Sequence, residues 1–128
     1  MIDFKIWLPQ IIGYCEFVAD EVKLRRAWIN RDFSATSVTD FDELYEQVFD
    51  DLDADRFAAD LDVLLPNSQR ARAAISAFLA SLKEVDRTRS KCPALLNAPA
   101  LLDSVQWRQV RIAALAALDV VGHKVGER

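Results

Sequence analysis

Apolar residues return every third or fourth position along most of this chain, and that spacing confines it to helices. In Ser68 to Val85, for example, Ala71, Ile75, Phe78, Leu79, Leu82 and Val85 fall on one stripe, with Ser68 placed as the N-cap. Only three glycines and four prolines interrupt the 128 residues, while Ala, Leu, Asp, Glu and Arg abound. The expected fold is all-α, a compact bundle of about four or five main helices in a single domain spanning residues 1–128, with a frayed tail over about 122–128.

The same reading places the individual elements. Pro9 to Asn30 reads as one amphipathic helix burying Ile11, Cys15, Val18, Val22 and Ile29, and residues 2–8 fit a short extra helix better than a strand. Arg31 to Thr39 is a polar connector with Phe33 as its expected anchor, ending at an N-cap signal in Thr39-Asp40. Phe41, Leu44, Tyr45, Val48 and Leu52 then form the buried stripe of a helix, and Asp53 is positioned to cap the next one, with Leu52 and Phe57 as a hydrophobic staple. Leu61, Leu64 and Leu65 continue that stripe to Pro66. The helix opened by Ser68 is expected to give way near DRTRSK, Asp86 to Lys91. Beyond Pro93 and Pro99, a helix from about Ala100 to Val121 carries two apolar stripes, Leu101, Val105, Ile112 and Leu115 on one, Trp107, Val110, Ala114, Leu118 and Val121 on the other. Such a helix is expected at the centre of the packing.

Charge is distributed unevenly. Asp40 to Asp62 holds ten carboxylates and one arginine, a net of −9, while the remaining fifteen cations and ten carboxylates net +5, giving the overall −4. Asp42, Glu43, Glu46, Asp50 and Asp53 fall opposite the apolar stripe with no lysine among them, an arrangement that accepts like-charge repulsion of a few tenths of a kcal/mol per pair. Three explanations compete. Asp51, Asp53, Asp55 and Asp62 take the first, third, fifth and twelfth places of a calcium loop, but Arg56 stands where the turn needs glycine and Ala58 where an aliphatic residue pairs two loops. No metal is therefore expected. A merely solvated face predicts interspersed lysines, which are absent. A docking surface for a cationic partner accounts for the single sign, because such a patch speeds encounter and penalises wrong partners.

Other chemistry finds little footing. His123 is the only histidine and stands in the polar tail, and there is no Gly-rich phosphate loop, G-x-S-x-G or Glu-x-x-His pair, so no enzyme and no cofactor are expected. The scattered cations Arg25, Arg26, Arg31, Arg70, Arg72, Lys83, Arg87, Arg89 and Lys91 suit helix ends and inter-helix pairing better than nucleic acid. Cys15 and Cys92, without a Cys-x-x-Cys or nearby histidine, read as reduced thiols, with a disulfide between them left open. No apolar run reaches the roughly 20 residues that cross a bilayer, so no membrane partner is expected. The opening MIDFKIWLPQ lacks the features of a secretory signal, and a cytoplasmic location is the expectation.

In its acidity the stretch TDFDELYEQVFDDLDAD resembles the helical surfaces of bacterial toxin-immunity proteins of the colicin and contact-dependent-inhibition kind. The resemblance implies an inhibitor that covers the positive, phosphate-binding cleft of a nuclease-type toxin. The residues expected to meet the partner are Asp42, Glu43, Glu46, Phe49, Asp50, Asp53 and Asp55. A helical adaptor or regulatory subunit with an apolar contact surface, built around Trp7, Trp28 or Trp107, is the alternative.

Overall fold

A computed structural model describes residues 3–122. Eight α-helices occur among them and no strand: α1 Phe4–Ala19, α2 Glu21–Trp28, α3 Phe41–Glu46, α4 Ala54–Ala59, α5 Leu61–Leu64, α6 Gln69–Lys91, α7 Ala98–Leu102 and α8 Val105–Ala117. The all-α expectation holds, with α1, α2, α6 and α8 as the main helices. Wide π turns extend α3 through Gln47–Asp51 and α8 through Leu118–Gly122. The tail beyond residue 122, His123 included, lies outside the described residues.

The core forms where α8 lies between α1 and α6. α6 is the element read most completely from its spacing: Ser68 Oγ accepts the amide of Ala71 at 3.1 Å, and Ala71, Ile75, Phe78, Leu79, Leu82 and Val85 are all buried. It ends at Lys91, the last residue of the DRTRSK stretch where it is expected to give way, with Arg89 and Lys91 in the last turn, where positive charge suits the helix dipole.

Asp60 splits the helix expected from Asp53 to Pro66 into α4 and α5, and four further boundaries differ from the periodicity. The first helix begins at Phe4 and passes through Pro9, so the described residues of the 2–8 stretch belong to it rather than to a separate helix. Proline removes one helical hydrogen bond, but the aromatic packing spans it: Phe4 and Trp7 stack with centroids 5.6 Å apart, and Trp7 lies 4.8 Å from Phe57. Asp20 then ends α1 and starts α2. Its ψ of 84° leaves the helical region, its amide donates to Glu16 O, and its carboxylate accepts from the amide of Lys23. The break shifts the buried face to Leu24, Ala27 and Trp28 and leaves Val22 70% exposed.

The expected Ala100 to Val121 helix is likewise two, because Ser104 caps α8 by accepting the amide of Trp107. Only one of its two apolar stripes is core. Trp107, Val110, Ala114 and Val121 are buried, whereas Val105, Ile112 and Leu115 are 61, 53 and 46% exposed. The fourth difference is Asp53, which sits at the start of α4 in the left-handed region (φ 51°) and caps nothing with its side chain. The staple residues Leu52 and Phe57 are both buried as expected, and Leu64 and Leu65 are half-buried.

All three tryptophans belong to the core, at 0, 5 and 3% exposure for Trp7, Trp28 and Trp107, which removes them as a surface for an adaptor. Trp28 and Trp107 pack 5.3 Å apart, and Trp28 donates through Nε1 to the carbonyl of Val38 at 2.9 Å. Val38, not the exposed Phe33, therefore anchors the connector before α3. Both cysteines are free, Cys15 buried and Cys92 exposed.

Candidate protein-binding surface

The acidic segment folds as α3, its π turn, a left-handed reversal at Asp53, and the short helices α4 and α5. Asp40 opens α3 by accepting the amide of Glu43 at 2.8 Å. Phe41, Leu44, Val48 and Leu52 bury into the core, while Asp42, Glu46, Asp50 and Asp51 are exposed. In the π turn the amide of Leu52 reaches back five residues to Gln47 O at 3.0 Å.

The carboxylates of this segment divide into two groups. Asp42 pairs with Arg89 Nη1 at 2.8 Å, Asp55 with Lys83 Nζ at 2.6 Å, and Asp53 with Arg56 at 3.6 Å. Glu43 accepts from Gln47 Nε2 at 2.9 Å, and Gln47 Oε1 accepts from Tyr14 Oη at 2.7 Å, tying α3 to α1. Glu46, Asp50 and Asp51, by contrast, enter no ion pair among the described residues, and neither do Asp60 and Asp62.

Aromatic rings connect the two groups. Tyr45 and Phe49, both half-buried, lie 4.5 Å apart, and the Lys83 ammonium that holds Asp55 also sits 5.4 Å from the Phe49 ring. Arg89 lies 4.8 Å over Phe41 in the same way. Burial first, then Asp86 with Asp55 and Asp50 against the opposing Lys83, raises the Tyr45 hydroxyl above its ordinary pKa. Burial, followed by Asp51 and Glu43, does the same for Tyr14. The hydrogen bond to Asp55 is the main cause that raises Lys83.

The structure thus brings Asp42, Glu46, Phe49 and Asp50 together on α3 and its π turn, and joins Asp55 to Phe49 through Lys83. Glu43 turns to the Tyr14 edge, and Asp53 is held beside its own helix by Arg56. The cations of α6 are expected from the sequence at helix ends or in inter-helix pairs, but not on these aspartates: Arg89 stands 47 residues from Asp42, and no local spacing signals such a pair. Among the described residues no group of three or more His, Cys, Asp or Glu is arranged to hold a metal ion. What remains is an exposed set of carboxylates beside two rings, suited to holding guanidinium or ammonium groups. No family model, curated protein or solved structure matches the chain.

Proposed function

We propose that this helical protein binds a basic macromolecule through the face formed by α3 and its π turn, and that it acts as an immunity protein covering the phosphate-binding cleft of a nuclease-type toxin in the cytoplasm. It carries out no catalysis itself. One observation carries the proposal: among the described residues Glu46, Asp50 and Asp51 enter no ion pair, Glu46 and Asp50 on the segment of Tyr45 and Phe49 and Asp51 towards Tyr14, although the fold supplies cations to their neighbours Asp42 and Asp55. Like charges left together oppose folding slightly, whereas a single-sign face steers and selects a cationic partner.

In this mechanism Glu46, Asp50 and Asp51 take arginines and lysines that otherwise hold phosphate, and Phe49 supplies apolar contact that slows dissociation. Asp42 and Asp55 sit at the margin, where exchanging an internal partner for an external one gains less. The test is a pull-down from source cells at low salt with the tagged full chain, eluted in rising salt. A doubly reversed variant, Glu46→Lys with Asp50→Lys, runs in parallel. Recovery of one basic protein by the wild type alone, followed by loss of its nuclease activity when the chain is added back, supports the proposal. Recovery of the same protein by both forms, or of none, sinks it.

The adaptor reading now rests on a different observation, the exposure of Val105, Ile112 and Leu115 along α8. Salt separates the two, since charge-steered association slows as ionic strength rises and association through aliphatic side chains changes little.

A further inference from the structure

Two helix breaks, at Asp20 and at Asp103-Ser104, meet on the surface and leave a cleft of about 400 Å³ between α2 and the start of α8. That is within the usual size of small-molecule sites. Its floor is apolar, made by Val18, Leu24, Leu102 and Trp107. Its rim carries three guanidinium groups, from Arg25, Arg108 and Arg111.

The three arginines are not equivalent. Arg25 is fully engaged as a strut, donating to Glu21 at 3.1 Å and to Asp103 at 2.9 Å across 78 residues of chain. These two bonds, Asp103 the larger contributor, hold its pKa above the ordinary value. Arg111 reaches only to 3.6 Å from Glu21, beyond hydrogen-bond length, and Arg108 enters no ion pair or side-chain hydrogen bond among the described residues. The cleft therefore keeps the N–H fork of Arg108 unspent above an apolar floor, while Arg111 stays in a longer ion pair with Glu21. Three guanidinium groups and two carboxylates leave one net positive charge.

We infer that this cleft binds a small monoanion with an apolar body, of the class of aliphatic or aromatic carboxylates. The planar carboxylate matches the guanidinium fork of Arg108, and the apolar part lies over Leu24, Leu102 and Trp107. A dianion is disfavoured, because Glu21 and Asp103 stand on the same rim. The site is independent of the acidic face: it uses other helices and the opposite charge.

The experiment is an NMR titration of the full chain with octanoate, and in parallel with octylammonium and with inorganic phosphate. Octanoate is expected to produce saturable shifts in α2, α7, α8 and the Trp107 indole. Octylammonium and phosphate should leave those signals in place. Arg108 is exposed, so Arg108→Ala should keep the melting temperature of the wild type yet weaken octanoate about tenfold or more, while Arg108→Lys, which retains the charge, loses less. Absence of saturable shifts with octanoate overturns the inference, as do equal shifts with octylammonium or phosphate, or unchanged affinity in Arg108→Ala. Glu46→Lys is expected to bind octanoate as the wild type does, so this inference and the proposed function fail separately.

Discussion

Replacing Arg89 by methionine is expected to destabilise the protein by about 1 to 3 kcal/mol, and the opposite member of its ion pair, Asp42→Asn, by only about 0.5 to 1 kcal/mol. The asymmetry comes from where the two side chains sit. Arg89 is 10% exposed and makes three contacts: Asp42 at 2.8 Å, the Leu95 carbonyl at 3.3 Å, and the buried Phe41 ring at 4.8 Å. The Asp42 side chain is 71% exposed, so water takes over most of what the arginine provides.

The magnitude follows from those contacts. An ion pair with one exposed member contributes about 0.2 to 1 kcal/mol, the bond to Leu95 about 0.5 to 1.5, and the cation over Phe41 about 0.5 to 1. Methionine fills the space of the stem, so little cavity cost is added, and release from burying a guanidinium offsets part of the loss. Asp42→Asn keeps an acceptor oxygen and loses only charge, including its favourable place in the first turn of α3. Urea unfolding of both single variants and the double, at constant m-value, measures the pair. If Asp42→Asn costs as much as Arg89→Met, or if Arg89→Met costs less than about 0.5 kcal/mol, Arg89 does not hold α3 against α6 in the way described.

Phe78→Ala, at a side chain wholly buried on α6, is expected to cost about 3 to 5 kcal/mol in the same unfolding assay. Ser68→Ala removes the oxygen that caps α6 and should lower stability by about 1 kcal/mol, with Ser68→Asp restoring most of it. A thiol reagent should titrate Cys92 in the native protein and reach Cys15 only after denaturation, since Cys15 is buried and its pKa is pushed up to about 12, mainly by burial with Glu16 second. Above the ordinary thiol range the unfolded chain loses that proton first. Stability is therefore expected to fall as pH rises from the ordinary value, 9.0, towards 12, with a shallower fall in Cys15→Ala; equal slopes would refute the assignment.

What the sequence reveals depends on how local the deciding physics is. α6 is legible because Ser68 states its start and one stripe runs its length with no competitor. α8 is not, because both stripes are apolar, and only the placement of α1 and α6 decides that Trp107 and Val110 face inward while Ile112 and Leu115 face out. The break at Asp20 involves neither glycine nor proline and keeps the three-and-four spacing nearly intact, so the periodicity runs straight through it. At the candidate surface the acidity is plain in the composition of one segment. Which carboxylates stay available is not, since the cations that engage Asp42 and Asp55 come from α6, 47 and 28 residues away.

The carboxylates the fold uses can be separated by experiment from those it leaves alone. Asp40 caps a helix, Glu43 anchors Gln47, and Asp42 and Asp55 each hold a cation of α6, so their loss should weaken the native state. Glu46 and Asp50, one turn apart, repel each other and Asp51 with no counter-charge among the described residues. Replacing both by lysine leaves a like-charge pair at the same spacing, now of two cations, but turns the repulsion from Asp42, Glu43 and Asp51 into attraction, worth a few tenths of a kcal/mol per pair. The doubly substituted chain is therefore expected to be as stable as the wild type or slightly more so, while capture of a basic partner is lost. Two effects of opposite sign from one pair of substitutions mark charge that is kept for binding at the expense of stability. A drop of more than about 1 kcal/mol in the variant's stability would instead show that Glu46 and Asp50 serve the fold, and would remove the observation on which the proposed docking face stands.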